Sequence, residues 1–228
     1  ILVGRGNLRI GLAAAEEAAG DDSRPTLRSA LDDYDELLHS GEGARWVRVN
    51  RGVALVHLGQ AEAARGGDPV ETYRGALAEF DDLLNTDVES AGALAGRGTA
   101  WAAIGVAKSK RGADATEAYR LAIADLDASL ALDVERGHTW LNRAWVREHL
   151  AIELQRAGED PRPVLEAAVS DCDAALARLP ASAEVFYTRG KVRGRLGRLD
   201  LIADRDSGPA YRAAEADLTV VLRLNPGM

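Results

Sequence analysis

The feature that most constrains this chain of 228 residues is an internal repeat with a period of 46. When the sequence is shifted by 46 positions, an arginine, an aspartate and an alanine each align with the same residue type in five places. These residues are Arg5, Arg51, Arg97, Arg143 and Arg189; Asp22, Asp68, Asp114, Asp160 and Asp206; and Ala30, Ala76, Ala122, Ala168 and Ala214. Because nothing is inserted between these positions, the copies predict a tandem array in which each unit buries its apolar residues against its neighbours.

We predict a single array over residues 1–228. Its repeats are expected at 1–44, 45–90, 91–136, 137–182 and 183–228. The sequence begins inside a repeat, lacks an initiator methionine and a leader segment, and stops at a repeat boundary, so we expect a piece of a longer protein. It contains no run of about 18 apolar residues, which argues against a membrane-spanning helix.

The composition narrows the classes of partner. A net charge of −8 disfavours nucleic acid and anionic membranes, since both attract positively charged surfaces. Cys172 is the only cysteine, so neither an internal disulfide nor a thiolate metal cluster can form. A reducing, cytoplasmic location agrees with this cysteine usage, and no cofactor is predicted.

Each copy contains two segments with helical spacing. In the third copy, Leu94 and Trp101 share one face of a first helix, which is expected at about 92–111. Gly112 follows, and a glycine there favours a left-handed residue that ends the helix, whereas Asp204 takes this place in the last copy. The equivalent glycines are Gly20, Gly66 and Gly158.

A second helix is expected to begin at the recurrent aspartate. Asp68-Pro69 and Asp160-Pro161 each combine a capping carboxylate with a proline at the first helical position. The apolar face of this helix in the third copy is Tyr119, Ala122, Ile123, Leu126 and Leu130. No segment shows the alternation of a strand, so we predict an all-α chain of ten helices, each about 18 residues long.

The copies resemble the tetratricopeptide repeat (TPR), a helix–turn–helix unit with the signature W-x2-L-G-x2-Y, A-x3-F and P. In the last copy, Phe186 stands in the Trp place, Arg189-Gly190 in the Leu-Gly place and Pro226 in the closing place. The final position of the A-x3-F element is Tyr34, Phe80, Leu126, Cys172 and Leu218 in the five copies. The resemblance, which is to TPR arrays of bacterial type, implies an α-solenoid of five helical hairpins in a right-handed superhelical arc.

The copies depart from TPR in length. The family unit has 34 residues, and the excess of 12 lies between the two halves, as in residues 59–73. Divided between two helices, this excess adds about six residues, or roughly 9 Å, to each. We therefore predict elongated TPR hairpins. HEAT or armadillo repeats have a similar length and are the second interpretation.

The recurrent arginines are matched by a recurrent acid in the second helix. The acids are Asp33, Glu79, Asp125, Asp171 and Asp217. A catalytic site needs one residue of each kind rather than five, so we predict structural pairs, such as Arg97 with Asp125. An unpaired, half-buried arginine is costly, whereas a paired one fixes how hairpins stack.

Other reactive side chains favour structural interpretations. Cys172 takes the place of Tyr34 and Phe80 and is expected to be buried. His57 and His149 share a repeat position two copies apart, which is too far for one metal site in a regular array. The glycines lie inside helical patterns rather than after a strand, unlike a phosphate-binding loop. We therefore predict no enzyme, no catalytic residue and no metal site.

In the TPR family, the first helices form an inner wall that binds extended peptides or partner proteins. By resemblance, the groove positions here are Asn7, Asn50, Val53, Val56, His57, Thr99, Leu141, Asn142, Trp145, Glu148, His149, Tyr187, Lys191 and Arg195. Aromatic and arginine side chains favour binding, and the richest patch of this kind is Trp145, His149, Tyr187, Lys191 and Arg195. The carboxylate-clamp pattern of the family is not reproduced, because Lys191 stands where asparagine is needed, so chaperone-tail binding is not predicted.

Three functions remain open at this point. The first is a scaffold that holds a peptide or protein partner in its groove. The second is head-to-tail self-association through end faces that look uncapped. The third is a non-catalytic arm of a larger bacterial signalling kinase or ATPase. The fold class does not name a ligand.

Overall fold

The computed structural model describes residues 2–41, 44–86 and 89–225. All regular secondary structure in those residues is helical, which confirms the all-α prediction. The ten helices are α1 (Leu2–Ala19), α2 (Arg24–His39), α3 (Ala44–Ala64), α4 (Val70–Thr86), α5 (Ala91–Lys110), α6 (Thr116–Leu132), α7 (Gly137–Arg156), α8 (Arg162–Arg178), α9 (Ala183–Ile202) and α10 (Gly208–Leu224). The closing position Pro226 lies outside the described residues.

The helices form two compact units, Ile1–Ala113 (unit 1) and Asp114–Met228 (unit 2). In unit 1, each of the helices α1 to α5 packs on the next, and α3 also contacts α1 and α5. In unit 2, each of the helices α6 to α10 packs on the next, and α7 also contacts α9. Each unit is therefore a stack of helical hairpins. One continuous array with five repeat boundaries stays a prediction.

The lengths of the helices reflect the elongated hairpin that the sequence predicts. Helices α5, α7 and α9 each have 20 residues, which corresponds to about 30 Å. They begin 46 residues apart, at Ala91, Gly137 and Ala183. The excess residues between the two halves of a copy therefore extend helices and do not form a long loop.

The turns inside the hairpins have the chemistry that the recurrent glycines predict. A left-handed residue follows the first helix of each copy, and its φ is 70° at Gly112 and 54° at Asp204. The other members of this set are Gly20, Gly66 and Gly158. Because a side chain is strained at positive φ, glycine suits this place, and aspartate is among the few alternatives.

The recurrent aspartate was predicted at the N-cap but precedes the N-cap residue, which is Ala115 in α6 and Pro161 in α8, although its carboxylate accepts the first backbone N–H of the helix. The Asp160 carboxylate accepts the backbone N–H of Arg162 at 3.0 Å, and Asp114 accepts that of Thr116 at 2.9 Å. The predicted place of the proline was wrong by one residue. Pro161 precedes the first helical residue, Arg162. The Asp160 carboxylate binds the N–H of Arg162, two positions further on, and α8 begins there.

The core of each hairpin stack is built around one side chain of the second helix. In unit 1 this side chain is Phe80, which lies between Gly52 of α3 and Gly96 of α5. A Cβ atom at Gly52 would lie 2.6 Å from the ring, and one at Gly96 would lie 2.4 Å from it. In unit 2 the equivalent residue is Cys172, which is fully buried in an apolar cluster, as predicted.

Candidate functional site

The recurrent arginines lie on the first helix of each hairpin and contact acids of the second helix. In unit 2, the Arg143 Nε and Nη2 atoms donate to the two oxygens of Asp171, at 3.0 and 2.6 Å. Arg189 binds Asp217 in the same bidentate way, again at 3.0 and 2.6 Å. In unit 1, Arg5 contacts Asp33 and Arg51 contacts Glu79.

Four of the recurrent arginines also contact an acid on the second helix of the preceding hairpin. This second set of acids was not predicted from the sequence. Arg51 donates to Asp35 at 2.7 Å, and Arg97 donates to Asp81 at 2.8 Å. The same contact joins Arg143 to Asp127 and Arg189 to Asp173, at 2.5 Å in both cases. Arg97 and its predicted partner Asp125 belong to different units, so their pairing stays a prediction.

The two acids of one second helix flank its central core residue. Asp171, Cys172 and Asp173 are consecutive, so one acid serves the arginine of its own hairpin and the other serves the arginine of the next hairpin. The sequence contains a signal for the second acid, since Asp35, Asp81, Asp127 and Asp173 recur with the same period of 46. Thr219 takes this place in the last copy. The acid–core–acid triplets around Tyr34, Phe80 and Cys172 thus each link two neighbouring hairpins within one unit.

A second arginine joins three of these pairs. Arg147 donates to Asp171 at 2.5 Å, and Arg193 donates to Asp217 at 2.7 Å. Arg9 contacts Asp33 in the same way. These residues lie one helical turn after the recurrent arginines, and the remaining copies have leucine or tryptophan there. Because arginine is absent from this position in two of the five copies, the period of 46 did not identify it as a recurrent residue.

In unit 1, the predicted groove residues are largely occupied by internal contacts. The Asn50 amide donates to Asn7 at 3.0 Å, and the same Asn7 oxygen accepts the hydroxyl of buried Tyr34 at 2.6 Å. His57 is half-buried, and burial lowers the pKa of its imidazole. Val56 is fully buried in the apolar core and is therefore not a groove residue.

In unit 2, the predicted residues of α7 and α9 form one contiguous group. Glu148 of α7 is fully buried, and its two oxygens bind different cations of α9. The Lys191 Nζ atom lies 3.1 Å from Oε2, and the Arg195 Nε atom donates to Oε1 at 2.9 Å. Glu148 was predicted to line the groove. It instead lies beneath the surface, where it holds two half-exposed cations in place.

Aromatic rings lie beside this ion pair. The rings of Trp145 and His149 are stacked with centroids 3.8 Å apart, and Tyr119 of α6 lies 5.9 Å from His149. The Lys191 ammonium group lies 5.7 Å from the centroid of the Tyr187 ring, and 48% of Tyr187 is exposed. Trp145, Glu148, His149, Tyr187, Lys191 and Arg195 are named the α7–α9 cluster below.

The imidazole of His149 has a defined role in this group. Its Nδ1 atom lies 2.9 Å from the Trp145 carbonyl oxygen, and because a carbonyl only accepts, Nδ1 carries the proton. Burial lowers the pKa of His149, and Lys191 and Arg195 lower it further, although Glu148 opposes them. The ring is therefore neutral at pH 7 and leaves Nε2 as an acceptor.

Two other predicted residues of unit 2 lie close to the cluster. Asn142 is half-buried on α7. Leu141 is buried in the core that includes Cys172 and Val185, so its assignment to the groove was wrong. Leu141 packs with Val185 of the neighbouring hairpin. Core and groove positions of one helix are separated by less than one turn, so a small error in assigning the face places a core residue in the groove.

The arrangement is that of a binding surface with anchored cations and partly exposed aromatic rings. Among the described residues, no group of three or more His, Cys, Asp and Glu side chains is placed to hold a metal ion. Burial raises the pKa of the Cys172 thiol to about 12, so this side chain is un-ionised at neutral pH. Within the same residues, none of the helices combines the length and hydropathy of a membrane span.

Comparison with solved structures identifies the class of fold. A thermophilic TPR protein of Thermus thermophilus, TTC0263, superimposes with a TM-score of 0.58 and 17% identity, over 97% of this chain and 92% of that one. The MamA protein superimposes with a TM-score of 0.50 and 12% identity, over 97% and 92% of the two chains. The chain therefore has a TPR-type fold, as its sequence predicts. No family model and no curated protein sequence matches it.

Proposed function

We propose that the protein is a protein-interaction scaffold that binds a peptide or partner protein on the surface formed by α7 and α9. The observation that supports this proposal is where the repeat breaks down. Arginines, capping aspartates and core alanines recur in every copy, because each has the same neighbours in each hairpin. The residues of the α7–α9 cluster do not recur in every copy, so the contacts that every copy makes with its neighbours do not explain them.

The chemistry of the cluster suits a binding surface. Tryptophan and tyrosine bury large areas at a small cost in side-chain entropy, and together with arginine they dominate the energetics of interfaces. Lys191 and Arg195 are already held by Glu148, so less conformational freedom is lost when a partner binds. The exposed ring of Tyr187 lies next to these cations.

Selection from a library of random peptides tests this proposal. Selected peptides are expected to lose affinity for the Tyr187→Ala and Trp145→Ala variants. Tyr211→Ala is the control, since Tyr211 is a similarly exposed tyrosine of unit 2 that lies outside the cluster. If binding depends equally on Tyr211, or if no selected peptide depends on the cluster, the proposal is wrong.

Self-association is the second candidate, and the end helices favour it. Leu8 of α1 is 76% exposed, whereas the equivalent Ala54 of α3 is fully buried by its neighbours. Leu222 of α10 is 59% exposed. Light scattering tests this candidate, because a mass that rises with concentration in the parent protein but not in Leu8→Glu or Leu222→Glu would favour assembly over monomeric peptide binding. Attachment to a bacterial kinase or ATPase and a cytoplasmic location stay predictions.

A further inference from the structure

The exposed face of α9 is a cationic surface on an acidic protein. Tyr187, Lys191, Arg195 and Arg198 are spaced by four, four and three residues, so they lie on one face of the helix. These four residues are named the cationic stripe. The side chains of Lys191 and Arg195 are 36% and 37% exposed, and Arg198 is more exposed still.

The stripe belongs to one copy only. The corresponding positions of α7 are Leu141, Trp145, His149 and Ile152, and those of α5 are Ala95, Thr99, Ala103 and Val106. No lysine or arginine occupies these positions in α1 or α3 either. Three cations on one helix face are therefore a local addition to a chain whose net charge is −8.

The charge of the stripe exceeds that of its internal partner. Glu148 supplies one negative charge to Lys191 and Arg195, and among the described residues no acid pairs with Arg198. Asp200, two residues further along α9, binds Arg162 at 2.6 Å and Arg205 at 3.0 Å. The surface therefore retains about two positive charges that are available to a partner.

A small cleft adjoins the two arginines of the stripe. Arg195 and Arg198 line it together with apolar side chains from α7, α8 and α9, including Ile152, Leu165 and Leu199. Its volume of about 20 Å³ holds one water-sized or methyl-sized group. Three other copies have tyrosine at the position of Leu165, and the first copy has Leu27, so the smaller leucine makes room for the cleft.

We propose that the cationic stripe binds an extended acidic peptide segment that carries aliphatic side chains. This inference rests on the proposed scaffold function and names the chemistry of the partner. The stripe covers residues 187–198, whose first and last members lie about 16 Å apart along the helix, which matches roughly five residues of an extended peptide. Carboxylates of the peptide bind Lys191, Arg195 and Arg198, and an aliphatic group enters the cleft.

Nucleic acid is the other polyanion to consider, and the observations favour a peptide. A stripe with three cations neutralises few phosphates of a nucleic acid, whereas it can pair with each carboxylate of a short acidic segment. The cleft is lined by apolar side chains together with Gln155 and the two arginines, and its apolar part suits an aliphatic group.

The test uses a fluorescent peptide with a central segment of alternating glutamate and leucine, and measures its affinity by polarisation. Arg198→Glu is expected to weaken binding by about tenfold or more, because it reverses a charge of the stripe. Arg120→Glu, the same change at an exposed arginine of α6, is expected to change affinity by less than about twofold. Arg198 has no internal ion pair among the described residues, so both variants are expected to melt like the parent protein.

The proposal is wrong if Arg198→Glu and Arg120→Glu have equal effects on affinity. It is also wrong if the protein binds a peptide with glutamine in place of glutamate equally tightly. A third contradicting result is equally tight, Arg198-dependent binding of an oligothymidylate of similar length. Absence of binding at millimolar peptide has the same consequence. If library-selected neutral peptides depend on Tyr187 but not on Arg198, the scaffold function stands and the acidic partner is wrong.

Discussion

Helices α3 and α5 of unit 1 and helices α7 and α9 of unit 2 are equivalent pairs, and one of the buried positions at which they differ is central to the α7–α9 cluster. In unit 1 this position is Val56, which packs in an apolar cluster with Ala103. In unit 2 it is Glu148, which binds Lys191 and Arg195. Both side chains are buried, yet one contact is apolar and the other ionic.

The difference shows how a repeat protein can be specialised without a change of fold. The arginine contacts and capping aspartates are present in both units, so the architecture does not depend on position 56 or 148. The buried carboxylate is compatible with the core only because two cations accompany it. Such a coordinated departure indicates a function of the surface that those cations reach.

The largest effect is expected when the unit 2 residue is transferred to unit 1. Val56→Glu would bury a carboxylate with no cation to pair with it, because the unit 1 equivalents of Lys191 and Arg195 are Thr99 and Ala103. We expect a loss of about 3–5 kcal/mol in the free energy of unfolding. Chemical denaturation monitored by circular dichroism measures this loss.

The reciprocal change, Glu148→Val, is expected to cost less than about 1 kcal/mol, because Lys191 and Arg195 are partly exposed and keep their hydration. If the two changes have equal costs, the cations do not account for the difference between the units.

A second comparison concerns the acids of the arginine contacts. Asp171→Ala removes a carboxylate that Arg143 and Arg147 share, and although Asp127 remains near both, their side chains are only 12% and 18% exposed, so the change is expected to cost about 3 kcal/mol. Glu79→Ala is expected to cost about 1 kcal/mol, because it affects one arginine, Arg51, which is 24% exposed and retains Asp35. Thermal unfolding checks the order, and a larger loss for Glu79→Ala would contradict it.

The two units also differ around the central core residue. Phe80 in unit 1 needs both flanking glycines, so Gly96→Ala is expected to cost about 1–3 kcal/mol through overpacking. Phe80→Leu should recover part of this loss in the double variant. Gly75→Ala is the control, since its nearest neighbour is 3.8 Å away and alanine favours a helix by about 1 kcal/mol. Additive effects of Gly96→Ala and Phe80→Leu would exclude this coupling.

The smallest effect concerns pH. Burial lowers the pKa of both His57 and His149 below the ordinary value of 6.5. The unfolded chain therefore binds more protons than the folded chain below about pH 6.5, and the free energy of unfolding falls as the pH decreases through that value toward the folded pKa. Replacement of either histidine by glutamine should reduce this slope.

The neighbours of the two histidines sharpen the pH comparison. Burial is the main cause of the lowered pKa at both sites, and nearby groups oppose it: the Trp145 carbonyl and Glu148 raise the pKa of His149, and Glu17 and Gln60 raise that of His57. Each replacement by glutamine is therefore expected to reduce the slope. Denaturation curves between pH 5 and 8 provide the measurement, and an unchanged slope in both variants would contradict the assignment.

Much of the fold was predictable, because the repeat presents each local rule five times. Turn glycines, capping aspartates and the burial of Cys172 follow from residues that recur at one position. The second acid of each triplet was equally visible in the period, but its partner is an arginine of the next hairpin. Recognising that pair requires knowing which helices are neighbours.

The candidate site was less predictable, because it consists of exceptions to the repeat. Lys191 and Arg195 lie 43 and 47 residues after Glu148, and only the packing of α7 on α9 brings these side chains together. The sequence marked all three as groove residues. It did not indicate that Glu148 is buried or that it neutralises the other two.

The acid–core–acid triplet has a consequence for how such a gene can change in length. Each of the triplets around Tyr34, Phe80 and Cys172 supplies one carboxylate to its own hairpin and one to the hairpin that follows. A crossover between two of these copies that adds or removes 46 codons rejoins each arginine with a compatible pair of acids. We expect a crossover of any other length to leave an arginine at the junction without its acids, so that whole-copy insertions and deletions are favoured.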